Sequence, residues 1–277
     1  MNMLERIKNK WSEVVERPLL TSLIVLVVIT LLVASFSMKY YQYDFEAFWP
    51  QILAEAHGMV FDIAVIGILL FWLNQNGETR QRIRTYKDEI DDFRLWESDE
   101  AAFRTVGNLK RLNRHGIHEI NLVNCYLMKT NLNYVNLRGS NMNSANLSNS
   151  SLIESNLENT RLNQTNFENS NLNQANLNGA YASGSNFNDC FLIKAQLEGA
   201  FLIKTSFKNA FLMEANLRNS YLMGADMENA SLYKADLRGA KGLTLDQLAK
   251  AKTLYLARFD DELLDQIKIK FPELIGV

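Results

Sequence analysis

Residues 215–239 read ANLRN-SYLMG-ADMEN-ASLYK-ADLRG, five groups of five with Leu or Met third and Ala or Ser first in each. The register extends far beyond them. Every fifth residue from Leu122 to Leu237 is Leu, Phe or Met, with Ala182 the one exception in 24 positions. The residue two places earlier is small along most of this length, from Ser140 and Ala145 through Ser170, Cys190 and Ala210 to Ala235. A helix turns about 100° per residue and would scatter such a column, and an odd period flips faces in a straight strand. The backbone must therefore turn once per group.

A turning chain that buries one large and one small side chain at each step is a solenoid, in which every coil covers its neighbour's apolar residues. Groups such as Ala235-Asp236-Leu237-Arg238-Gly239 and Ala215-Asn216-Leu217-Arg218-Asn219 resemble the pentapeptide-repeat family, A(D/N)LXX, over residues 115–242. That resemblance implies an all-β solenoid: a right-handed quadrilateral β-helix with one pentapeptide per side and twenty residues per coil. About six coils would rise roughly 29 Å at the ~4.8 Å spacing of hydrogen-bonded strands.

The N-terminal quarter has another character. Residues 19–38 carry no charge, Gly or Pro, and twenty helical residues span about 30 Å, the thickness of a bilayer core. A cleaved signal peptide would have a shorter apolar run and a better A-x-A site than Ser35-Phe36-Ser37. A second span is expected over 52–73, despite Glu55, His57 and Asp62. Residues 1–18 hold four Lys/Arg and residues 80–87 four more, against Lys39 alone in the loop 39–51. By the positive-inside rule both termini, and with them the repeats, are cytosolic. A bacterial inner membrane is the expected location. Tyr40, Tyr41, Tyr43, Phe45, Phe48 and Trp49 suit the headgroup region. Asp62 lies deep in the second span, with Glu55 seven residues earlier on the same helical face, which reads either as a polar face in an oligomer or as a shallow helix reaching headgroups.

A helical linker is expected over 74–114, where Ile83, Tyr86, Ile90 and Phe93 follow 3-4-3 spacing, either packing on the first coil or forming an oligomerising stalk. Beyond Gly242 the register is lost. Leu243, Leu248, Ala251, Leu254 and Leu256, after Thr244 and Asp246, predict a capping helix, and a second follows around 260–270, so that 243–277 forms a helical cap.

The groups that catalysis needs are missing. Cys125 and Cys190 fall in the small-residue column and should point inward; His115 and His118 lack further ligands; no phosphate-binding glycine loop and no G-x-S-x-G occurs. No enzyme activity, metal, cofactor or small-molecule substrate is expected. With 29 basic and 31 acidic residues the chain has no bias toward nucleic acid.

Residues twenty apart should share one side of the solenoid, so the position before each central residue forms four columns. Two are polar throughout: Asn136 to Asp236, and, after Tyr126, Asn146 to Asp226. The other two change halfway. One runs Asn121, Asn141, Arg161, Tyr181, Phe201, Tyr221, with Ile203 and Met223 two places on; the other runs Asn131, Ser151, Asn171, Phe191, Phe211, Ser231, with Ile193 and Met213. These nine apolar residues are the candidate partner-binding positions, either for a protein partner or for a second copy. The chain thus reads as a membrane-anchored scaffold. A pore or membrane-perturbing oligomer lined by Glu55 and Asp62 is the alternative. A DNA mimic that binds topoisomerases is a third, opposed by the repeats' near-neutral charge.

Overall fold

The computed structural model describes residues 18–37 and 45–276. The basic segment 1–17, together with Lys39, Tyr40, Tyr41 and Tyr43, lies outside the described residues. The chain divides into two compact units, Met1–Asn76 and Gly77–Val277.

In the first unit, helix α1 (Pro18–Ser37) is twenty residues long with no acidic residue in its first turn and no basic one in its last. Helix α2 runs Phe45–Asp92 without interruption and contains a stretch long and apolar enough to cross a membrane. The expected loop 39–51 is therefore already helical from Phe45, and the second span and the linker as far as Asp92 are parts of one helix. Pro50 near its start forfeits a single hydrogen bond. The change from apolar to polar residues at 74 alters the helix's surroundings and leaves its backbone bonds intact, with i,i+4 pairs Glu78–Arg82 and Asp88–Arg84 along the polar part.

In the second unit, Ile83 and Tyr86 pack against the solenoid core and Ile90 is fully buried, so the 3-4-3 stripe is a packing face. A further helix, α3 (Asp99–Arg114), starts where Ser98 Oγ accepts the Ala101 N–H. Asp99 and Glu100 lie in its first turn and Arg111 and Arg114 in its last, each suited to the helix dipole. Its buried face, including Ala102, Val106, Leu109 and Leu112, recurs at three- and four-residue spacing and joins the same core.

The solenoid is made of single parallel bridges between residues twenty apart; among the described residues no longer strand forms. One column passes from Asn121 through Asn141, Arg161, Tyr181, Phe201 and Tyr221 to Lys241, and three others follow at five-residue offsets. The repeat 171–175 shows how each backbone donor is placed. Leu172 N–H donates to Phe191 O and Gln174 N–H to Ile193 O in the next coil, Asn171 N–H to Ser150 O in the previous one, and Ala175 N–H to Leu172 O across the turn. The fifth, Asn173 N–H, donates to the side-chain oxygen of Asn171 at 3.1 Å. Each turn needs a positive φ two places after the central residue, and all 24 such positions have one, from Asn124 to Gly239.

The central residues are fully buried, with Phe167, Phe187 and Phe207 stacked at 4.8 and 5.4 Å. The small column has a second use. Ser170 Oγ donates to Leu147 O, Thr205 Oγ1 to Ala182 O and Cys190 Sγ to Phe167 O, each a carbonyl 23 residues back. Burial pushes the Cys190 thiol up to about 12 and the Cys125 thiol up to about 11.

The C-terminal end departs from expectation. In place of a capping helix over 243–256 there is one turn, α4 (Leu245–Leu248), with a capping box between Thr244 and Gln247. The chain then rejoins the solenoid: Thr253 bridges Ser231 and Arg258 bridges Asp236, now at a spacing of 22. Leu254 and Phe259 are buried, and Leu256 takes the positive-φ position. The two extra residues are absorbed around α4, which is why a search in steps of five loses the register. Helices α5 (Asp261–Lys270) and α6 (Pro272–Ile275) follow, and Leu254 N–H donates to Leu274 O.

Candidate interaction faces

The residue before each central position faces outward, and its usual identity, Asn, has a structural reason. The N–H just after the central residue lacks a backbone partner, and an Asn oxygen takes it: Asn121 Oδ1 from Val123, Asn171 Oδ1 from Asn173, and, one coil on, Asn163 Oδ1 from Ser183 and Asn173 Oδ1 from Ile193. The two polar columns keep this device to their ends, where Asp226 and Asp236 accept from Glu228 and Arg238. They read as backbone satisfaction, not as recognition surface.

The other two columns abandon it. On one, Tyr181, Phe201 and Tyr221 stack at 4.8 and 4.6 Å with nearly parallel rings, and Lys241 Nζ lies 4.6 Å from the Tyr221 ring centre. On the opposite one, Phe191 and Phe211 stack at 4.9 Å. Ring faces turned toward one another along the solenoid leave ring edges outward. Tyr181, Phe191, Phe211 and Met223 are exposed, while Phe201, Tyr221, Ile193, Ile203 and Met213 are half-buried. With the Asn oxygens gone, the backbone N–H groups of Ile203, Met223, Met213 and Tyr233 meet no protein acceptor among the described residues.

Charge separates the two faces. The Tyr181 face carries Arg161, Lys204 and Lys241; the Phe191 face carries Lys194, Glu214 and Lys234, with Lys194 Nζ 3.8 Å from Glu214 Oε2. In the first unit, Glu55 and Asp62 are both exposed on α2. An apolar site at the N-terminal end, with Leu95, Trp96 and Phe103 exposed, went unread in the sequence. Phe103 borders a groove of about 560 Å³ shared with Asp99, Lys110 and Met128. The start of α3 and the first solenoid coil bring Phe103 and Met128 together, and no spacing within the chain announces it.

The sequence model of the pentapeptide repeats matches in eight copies, at residues 120–159, 150–189, 190–229 and 211–241. Residues 120–241 are pentapeptide repeats. Among solved structures, the pentapeptide-repeat chain is similar to HetL, involved in heterocyst differentiation regulation in the cyanobacterium Nostoc sp. strain PCC 7120, at 25% identity over 55% of this chain and 78% of that one, with a TM-score of 0.43. It is similar to Rfr23 from the cyanobacterium Cyanothece 51142 at 22% identity, covering 56% and 98% of the two chains with a TM-score of 0.31. QnrB1, a plasmid-mediated fluoroquinolone resistance protein, shares 17% identity over 57% and 82%, with a TM-score of 0.29. No curated protein matches the sequence.

Proposed function

We propose that this pentapeptide-repeat protein is a membrane-anchored scaffold whose solenoid, six right-handed coils on the cytosolic side of a bacterial inner membrane, binds proteins through its two aromatic columns. The observation that carries the reading is the run of Tyr and Phe in place of Asn through the C-terminal half of those columns, where the N–H groups of Ile203, Met213, Met223 and Tyr233 are left without an Asn acceptor. A surface kept only for folding would retain Asn there, as the other two sides mostly do beyond Tyr126. Aromatic side chains are the residues whose burial dominates most protein interfaces. The anchor is α2 together with the uncharged α1, as a hairpin of two spans.

The test restores the missing device. Tyr181→Asn, Phe201→Asn and Tyr221→Asn on one face, or Phe191→Asn and Phe211→Asn on the other, should keep or raise the melting temperature. In-cell photo-crosslinking from Met223 or Met213 should then lose its protein adducts. Adducts that persist unchanged in both sets would refute the scaffold. Glu55 and Asp62, exposed on one face of α2, favour a second reading as a pore. Ion flux across liposomes holding the purified chain, abolished by Glu55→Gln with Asp62→Asn, would support it.

A further inference from the structure

The scaffold reading leaves open what the Phe191 face binds, and its charges answer that question. At the corner that follows its apolar residues, Gln174, Lys194, Glu214 and Lys234 occupy successive coils, each with positive φ. The Lys194 and Glu214 side chains pair with one another at 3.8 Å yet are 57% and 45% exposed, so both remain accessible to a partner. Between them and the Phe column lie Ile193 and Met213. The Phe pair thus spans two coils, with Tyr233 and Tyr255 stacked at 5.9 Å on the two coils beyond it, and of the two Phe coils one ends in a base while the next ends in an acid.

Such a zone is complementary to itself under one operation. A two-fold axis perpendicular to the solenoid, passing midway between the coils of Phe191 and Phe211, sets Phe191 against Phe211 of the second copy and Ile193 against its Met213. It also sets Lys194 against Glu214 of the second copy, and Glu214 against its Lys194. An isologous interface has this property: residue i meets j, and j meets i. Moving the axis by half a coil puts Glu214 against Glu214, or Lys194 against Lys194, and moving it a whole coil pairs Glu214 with Lys234 but sets Phe211 against Ser231, so charge and the Phe pair together fix the register. The Tyr181 face fails the same test, because Arg161, Lys204 and Lys241 would meet only one another's charge.

We propose that the Phe191 face is a self-association face on which two copies pack antiparallel about that axis, leaving the cationic Tyr181 face for other proteins. This rests on the reading of the aromatic columns as protein-binding. The zone is small. Four coils at about 4.8 Å each make a contact well below the ~800 Å² per partner of a stable complex, so association is weak and depends on the crowding of anchored chains in a membrane.

The experiment uses the full chain in mild detergent, with two differently tagged forms mixed and one captured. K194E leaves acids on both central coils of this corner, beside Lys234, and E214K leaves bases on all three of its charged coils. Each alone should capture itself about tenfold less than the wild type captures itself, the reach of roughly 1.4 kcal/mol. K194E mixed with E214K should recover wild-type capture, because each acid then meets a base on the other chain. Both variants lose the ion pair within the chain, so recovery cannot come from repaired folding, and circular dichroism will show whether both are folded. Single variants that self-capture normally, or a mixture no better than either alone, would overturn the proposal. Crosslinking from the Phe191 face to other proteins, if it survives that result and is lost in Phe191→Asn with Phe211→Asn, would keep the scaffold and discard self-association.

Discussion

Leu172 and Asn173 are neighbours in sequence and opposites in consequence. Leu172 is fully buried, so Leu172→Asp places a carboxylate among apolar groups without a partner and should cost about 4 kcal/mol or more in a denaturant titration. Asn173→Asp keeps the oxygen that accepts the Ile193 N–H at 2.9 Å and should be nearly silent; equal losses for the two would show the register to be wrong. Tyr134 tests the turns, since it holds φ at 61°, a conformation that Asn adopts more readily than an aromatic. Tyr134→Asn should raise stability by about 0.5–1 kcal/mol, measured by thermal melting. Cys190 titrates near 12 in the fold against an ordinary 9.0, so its contribution is complete below pH 9 and is lost as pH rises toward 12. Wild type should lose stability faster than Cys190→Ser through that window.

At the scale of elements, the five-residue repeat from Leu122 to Leu237 was legible, whereas the last coil and most helix boundaries were not. Leu, Ala and Asn recur at fixed spacing because each coil buries the same positions, so period alone gave the number of residues per side. The break at 243 hid Leu254 and Phe259, which keep five-residue spacing with each other but have slipped by two against the rest. The small residue Ala257, two places before Phe259, was the available signal. Helix α3 was merged into the linker because its boundary depends on one cap at Ser98. Ser98→Ala should cost about 1 kcal/mol, read as an earlier midpoint in denaturant. Gln247 has more at stake: besides its capping box, Gln247 Nε2 donates to both Leu222 O and Ala225 O at 2.8 Å. Gln247→Leu should therefore cost more than Ser98→Ala and loosen the C-terminal end first, seen as faster amide exchange there. The candidate faces were readable as apolar columns, whereas the unmatched N–H groups beneath them required knowing which Asn oxygen serves which coil.

For the whole molecule, the sequence offers an orientation through its basic residues. On the proposed hairpin, which sets Lys39 between two spans and both basic clusters outside them, an impermeant thiol reagent on intact cells should label Lys39→Cys and spare Asn219→Cys, in a background with Cys125 and Cys190 replaced by Ser. Labelling of Asn219→Cys before the membrane is opened would place the repeats on the other side.

Every bridge along the repeats joins residues twenty apart, and only the last two stretch to 22, so the middle of the solenoid is interchangeable in a way its ends are not. Duplicating residues 161–180 in place should lengthen the protein by one step of about 4.8 Å and leave both closures with their native neighbours. Duplicating five or ten residues instead would turn the downstream coils by a quarter or a half, carrying the Tyr181 column off the side that holds Asn121 and Asn141. The chain is a ruler graduated in twenties, and selection can change its reach without redesigning either end.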